Sequence, residues 1–375
     1  MSSSPVLDRP LDGIRVIDLG MLLPGPVCAL HLAWLGADVI KVEPPRGDPG
    51  RTLYDGAFFD TYNRGKRSAA LDLKSPSGRE ALLALSEDAD IVIENFRPGV
   101  ADRLGIGPDA LQARNPRLIH CAITGFGPGS RATAPAHDLN FLARSGALGL
   151  PTTWSGQGRP STRPAVPVAD FGGAAMAVQA ILAALFQRTR TGTGARIEIA
   201  MQEVMLHWLA WRVSASERGD EAAWTSHLEP ANDLYVTADG RALAIGAIEN
   251  HLWQALVTAL AGAGCPLTAG AGEWDWHARR ANAPELAAAL SAAFATRTLA
   301  EWIPLLEAAG VPADPVNTPP EAFADPWLAE RNLVGKDGWV RPPLPGAGSL
   351  APAPALDADG VAVRAGTAWS GARGA

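Results

Sequence analysis

Cysteine is scarce in this chain: three residues in 375, Cys28, Cys121 and Cys265, an odd number without paired spacing. That argues against a disulfide framework or a cysteine-built zinc site and points to a reducing compartment. Residues 1–10 hold no basic stretch followed by an apolar run, so the expected location is the cytoplasm. Blocks of lysine or arginine are absent and the net charge is −7, so nucleic acid is not an expected partner. The longest apolar stretch, 171–186, is broken by Gln179 and falls short of the roughly 20 residues that span a bilayer. It reads as a buried helix, and no membrane partner is expected. Residues 20–25 lack the glycine spacing of a dinucleotide loop, and neither a P-loop nor a nucleophile-elbow serine occurs. Asp170-Phe171-Gly172 echoes a kinase tripeptide without its companion motifs. The seven histidines have no metal-ligand spacing, so no metal is expected.

What is present is a large apolar reserve, 47% hydrophobic against 19% charged residues, enough for two domains. Residues 14–19 form a short apolar run, 26–35 have helical periodicity and 37–43 are strand-like again, which is a βαβ unit. The alternation continues with strands at 68–73, 90–94, 118–124 and 196–200, and helices at 78–86 and, broken, at 100–113. The expected fold class is α/β: a large Rossmann-like domain with a parallel sheet plus a smaller α+β domain. The large domain covers 1–215 with a C-terminal return over 320–375, a linker covers 216–227, and the small domain covers 228–319. Asp239-Gly240 between two apolar runs predicts a hairpin in the small domain. From 341 onward Pro, Gly and Ala dominate, which predicts an extended, partly mobile surface tail.

Three segments place a histidine and two carboxylates at apolar-flanked loop-to-helix junctions: Ala136-His137-Asp138-Leu139-Asn140, Val168-Ala169-Asp170-Phe171-Gly172-Gly173 and Gly246-Ala247-Ile248-Glu249-Asn250. Burial there moves a pKa toward the working pH, as a base that takes and returns a carbon-bound proton requires. Each residue also has a plainer reading. His137 packs while Asp138 or Asn140 caps, Asp170 is an N-cap, and Glu249 answers a helix dipole. Amides at or near the start of the Asp170 helix are candidate donors to an oxyanion. Lys41, Arg46, Arg51, Arg64, Lys66, Arg67, Lys74, Arg97 and Arg103 gather near the strand ends, as a solvated rim or as a phosphate-binding rim.

Leu11-Asp12-Gly13-Ile14-Arg15-Val16-Ile17-Asp18-Leu19, Pro24-Gly25-Pro26 and Leu35-Gly36-Ala37-Asp38-Val39-Ile40-Lys41-Val42-Glu43-Pro44-Pro45 resemble the N-terminal signature of the family III CoA-transferase superfamily. The resemblance runs over 11–332, and Ala136-His137-Asp138-Leu139-Asn140-Phe141 is similar to the Gly-His-Asp-Ile-Asn-Tyr segment of its α-methylacyl-CoA racemase branch. It implies that His137 and Asp170 are catalytic bases and that Glu249 assists the histidine; transferases usually carry a tyrosine where His137 stands. It further implies CoA contacts at Leu71, Asp72, Leu73, Lys74, Asn95, Phe96, Arg97, Arg103, Ala136, Asp138, Asn140 and Phe141. No cofactor is implied beyond the CoA moiety of an acyl-CoA substrate. The implied assembly is an interlocked homodimer in which Glu249 reaches His137 across the interface.

The chain departs from the racemase pattern at Pro44, often an arginine, which shifts the adenosine end toward Arg46. Ala136 replaces a glycine and Phe141 a tyrosine, and before the hairpin Leu228-Glu229-Pro230-Ala231-Asn232-Asp233 stands where racemases usually show a Gly-Gly-Ala-Pro-type approach. The implied activity is inversion at the α-carbon of a 2-methyl-branched acyl-CoA by 1,1-proton transfer through an enolate. The alternative is a CoA-transferase working through an aspartyl-CoA thioester on Asp170, in which His137 and Glu249 have no required role. A third reading is a non-catalytic acyl-CoA binder.

Overall fold

The computed structural model describes residues 8–149, 164–220, 229–331, 333–335, 338–343 and 350–369. They divide into two compact units, one from the described parts of 1–145, 164–208 and 331–375, the other from Leu209–Glu330 with the described part of 146–163.

The first unit is built on six parallel strands, β1 (Arg15–Asp18), β2 (Asp38–Glu43), β3 (Arg67–Ala70), β4 (Ile91–Glu94), β5 (Ile119–Thr124) and β6 (Arg196–Ala200). Val16, Ile17, Val39, Ile40, Ile91, Val92 and Ile93 are fully buried, as expected where helices cover both faces of a parallel sheet. Each contributes about 1.5–3 kcal/mol by leaving water. The helices are α1 (Pro24–Trp34), α2 (Ala57–Asn63), α3 (Pro76–Glu87), α4 (Val100–Arg103), α5 (Pro108–Arg114), α6 (Asp138–Arg144), α7 (Val168–Thr191) and α8 (Met201–Trp208). By length and composition the 24-residue α7 could cross a bilayer, but Ala169, Gly173, Ala177 and Ile181 on one face are buried within the unit.

The strand order β3-β2-β1-β4-β5-β6 reverses direction between β1 and β4. At such a switch point the loops leaving adjacent strands diverge and open a crevice at the carboxyl edge. The β1–α1 loop is drawn tight there: a Cβ on Gly20 or Gly25 would come within 2.7 Å of the other's Cα, so both positions need glycine.

Beneath this loop lies a buried charge cluster. Lys41 Nζ pairs with Asp48 at 3.0 Å and donates to the Gly20 carbonyl at 2.7 Å, while Lys66 Nζ pairs with Asp18 at 2.8 Å. Burial acts to raise the Asp18 pKa, but Lys66 and Lys41 outweigh it and hold that carboxyl below its ordinary value. Arg51 forks onto Glu43, and Arg67 pairs with Asp38 and Asp359. Lys41 and Lys66 are therefore neither a solvated rim nor a phosphate rim; they neutralise interior carboxylates.

The C-terminal tail also differs from expectation. Residues 360–364 form a short helix, and Val363, Ala368 and Trp369 are buried in the main core of the first unit. Trp369 Nε1 donates to the Leu85 carbonyl, and Arg15 donates to the Trp369 carbonyl at 2.8 Å. A Pro, Gly and Ala composition hid these few large anchors.

The longer segment of the second unit opens with α9 (Ala210–Glu217), so that segment begins at Leu209 rather than at 228. The expected linker falls largely on 221–228, outside the described residues. An antiparallel sheet of β7 (Asn232–Val236), β8 (Ala242–Gly246) and β9 (Ala313–Pro315) packs with α10 (Asn250–Gly262), α11 (Trp276–Ala281), α12 (Ala283–Phe294) and α13 (Leu299–Ala308) around Trp253, Phe294 and Trp302. The hairpin turn forms where expected, with Gly240 at φ +74°. Two further short helices, Pro319–Phe323 and Pro326–Glu330, belong to this unit, so the return to the first begins at Arg331 rather than 320.

Candidate active site

The crevice at the β1/β4 switch widens into a cavity of about 640 Å³. Its walls come from the loop after β1 (Met21, Leu22, Leu23), the loop after β4 (Asn95, Phe96, Arg97), the end of β5 and the start of α6. His137, Asn140, Phe141 and Asp170 all line it. Asn95 locks the two loops together: its amide donates to the Met21 carbonyl at 2.9 Å and its carbonyl accepts from Met21 N–H at 2.8 Å. Leu22 sits at φ +61°, a strained conformation for a branched side chain, and its N–H is held by Asp48 at 3.2 Å.

One carboxylate organises the end of the cavity that holds His137 and Asp170. Asp138 opens α6 but does not cap it; it accepts from the amides of Ala169 (2.7 Å) and Asp170 (3.3 Å) in the first turn of α7. His137, exposed at the cavity rim, is the N-cap residue of α6, and its own N–H donates to Asn140 Oδ1 at 3.0 Å. Asp138, next in the chain to His137, thus ties the start of α6 to Asp170. Asp170 is not a cap: it lies inside the first turn of α7, whose N-cap residue is Pro167. Burial raises the Asp170 pKa to about 7, and the charge of Asp138 adds to the rise.

The same geometry corrects the expected oxyanion donors. The Ala169 and Asp170 amides already donate to Asp138, and Phe171 N–H donates to the Pro167 carbonyl. Among the described residues the amides of Asp138 and Leu139 have no acceptor.

Of the residues expected to contact CoA, Asn95, Phe96, Arg97, Ala136, Asn140 and Phe141 line the cavity, whereas Leu71, Asp72, Leu73, Lys74, Arg103 and Asp138 do not. Among the described residues Arg97 is the one arginine or lysine in the lining; it is exposed, and no ion pair among those residues involves it. Phe141 is buried edge-on against Phe126 at 5.2 Å between ring centroids. Glu249 belongs to the second unit, where it is the exposed N-cap residue of α10 and its side chain makes no capping bond.

Sequence reasoning missed Met21 and Leu22, whose signal was their place directly after a central strand. It also missed Glu94, a buried residue at the end of β4 that accepts from Phe96 N–H at 2.6 Å. Burial, helped by Glu198 and Asp102, lifts the Glu94 pKa to about 7 against the pull of that hydrogen bond.

The family model for CoA-transferase family III matches residues 11–340. The chain belongs to that family. It is 36% identical over 320 residues to human "Alpha-methylacyl-CoA racemase", covering 82% of this chain and 78% of the relative. It is also 36% identical over 348 residues to "Acetyl-CoA:oxalate CoA-transferase" of Acetobacter aceti, covering 89% and 87%. The crystal structure of a CAIB/BAIF family protein from Brucella suis superposes with a TM-score of 0.82 at 32% identity, covering 95% of this chain and 98% of that one. The α/β fold of the family is therefore this chain's fold. Equal identity to relatives named for different reactions leaves the choice of reaction to the site.

Proposed function

We propose that the chain is an α-methylacyl-CoA racemase, inverting the α-carbon of a 2-methyl-branched acyl-CoA by 1,1-proton transfer. The observation that carries this reading is a carboxyl held near neutrality and a histidine lining one cavity, joined through Asp138. The thioester carbonyl acidifies the α C–H bond. One base removes that proton while the other, already protonated, delivers one to the opposite face. Such a pair must work with one member protonated and the other not, and a carboxyl with a pKa of about 7 suits both states. The enolate oxygen would be met by the Asp138 and Leu139 amides, between the lining residues His137 and Asn140. Arg97 would meet a phosphate of the CoA handle. Glu249 would orient and charge-balance His137, which by the resemblance requires a homodimer.

A transferase reading draws support from the oxalate CoA-transferase relative. In it the Asp170 carboxylate attacks the thioester carbonyl, giving an anhydride and then an enzyme-bound CoA thioester. That route uses Asp170 alone and gives the histidine in the same cavity no required part. His137→Ala separates the two: the racemase reading expects inversion to fall about 10²–10⁴-fold, whereas transfer of CoA to an added carboxylic acid would persist under the alternative.

A further inference from the structure

Arg279, on α11, is fully buried, and all five of its N–H donors are used. Two fork onto Glu229, from Nε to Oε2 at 2.8 Å and from Nη2 to Oε1 at 3.1 Å. One reaches the Trp274 carbonyl at 3.1 Å. The remaining two grip the residues on either side of Glu249: the Ile248 carbonyl through Nη2, and Asn250 Oδ1 through Nη1 at 3.1 Å. The guanidinium also lies 5.5 Å from the centroid of the Trp253 ring, one turn into α10. Glu229 in turn receives the Asn232 N–H on its own carbonyl at 2.8 Å, and Ala247 N–H donates to the Ala231 carbonyl at 2.7 Å. The segment carrying Glu249 is thus pinned before and after that residue, while the Glu249 carboxylate makes no capping bond to its own helix.

We infer that Arg279, with Glu229 as its counter-ion, is a positioning residue that aims Glu249; the inference rests on the reading in which Glu249 supports proton transfer. A planar fork with five fixed donors can hold a carboxylate and three separate oxygens at once, which a lysine cannot. A loop acid on an exposed helix start would otherwise sample many directions, and misplacement of a catalytic group by about 1 Å costs up to about a hundredfold in rate.

The test compares Asn250→Ala, Glu249→Gln and the double variant, following α-proton exchange into a single-enantiomer 2-methylacyl-CoA in deuterium oxide. Asn250→Ala removes one grip and leaves the Arg279–Glu229 pair in place, a smaller perturbation than Arg279→Lys, and a circular dichroism spectrum matching the parent's verifies its fold. The expected result is a kcat lower by about tenfold with KM within about twofold, and a double variant no slower than Glu249→Gln alone. Wild-type kcat in Asn250→Ala, or a loss that multiplies in full onto Glu249→Gln, overturns the brace while leaving the role of Glu249 intact. Wild-type exchange in Glu249→Gln refutes the catalytic reading of Glu249, and the brace falls with it.

Discussion

Two charged regions lie in the same unit and treat burial in opposite ways. Under the β1–α1 loop, Asp18, Asp48, Lys41 and Lys66 bring two carboxylates and two ammonium groups into ion-pair contact, all essentially out of solvent. At the start of α7, Asp138 and Asp170 place two carboxylates close together, and neither forms an ion pair among the described residues. The first arrangement answers each charge with another and fixes the Gly20 carbonyl and the Leu22 amide in place. The second satisfies only one of its acids, Asp138, with backbone amides and leaves Asp170 able to hold a proton near neutrality. Neutralised charge builds the wall of the cavity; in the proposed reading, the carboxyl that has no counter-ion among the described residues supplies its chemistry.

Breaking the balanced side gives the largest effect on stability. Lys66→Met leaves Asp18 buried with only the more distant Lys41, 3.8 Å away. Losing one member of a buried pair costs about 3–5 kcal/mol. Denaturant unfolding reads that loss as a lower midpoint at unchanged slope.

Relieving the unbalanced side acts in the other direction and depends on pH. The folded pKa of Asp170 is about 7 against an ordinary value of 3.8, so the folded state holds this proton more tightly than the unfolded chain does. Its contribution to stability is full below pH 3.8 and is lost as pH rises through about 7. Asp170→Asn removes the titration, so its gain in Tm over the parent is expected to be larger at pH 8 than at pH 5, by about 2–4 °C. Scanning calorimetry of both proteins at the two pH values checks the sign. An equal difference at both would mean that Asp170 titrates in its ordinary range, and the contrast between the two regions would disappear.

The contrast also explains what could be read from the chain alone. The parallel sheet was legible because 14–19, 37–43 and 90–94 are short apolar runs separated by helical periodicity, and the hairpin because Asp239-Gly240 joins two such runs. His137 and Asp170 were legible as residues at helix starts. Partnerships were not. Lys41 lies between Ile40 and Val42 on a buried strand, yet its pairing with Asp48 becomes visible only when the β2 end folds back. The use of the Ala169 and Asp170 amides by Asp138 spans 31 residues or more of sequence. The Glu229–Arg279 pair spans 50, and Trp369 meets Leu85 across 284. Local pattern specifies elements, whereas the electrostatic state of a buried side chain depends on which distant residues arrive beside it.

The central claim is that the Asp170 and His137 cavity moves protons on carbon. It is tested most directly by incubating the protein with one enantiomer of a 2-methylacyl-CoA in deuterium oxide, without an acceptor acid, and following the α-carbon by NMR. The account predicts deuterium at that carbon together with inversion of configuration. No exchange, with CoA appearing instead on a carboxylic acid once one is added, would contradict it and make Asp170 a nucleophile.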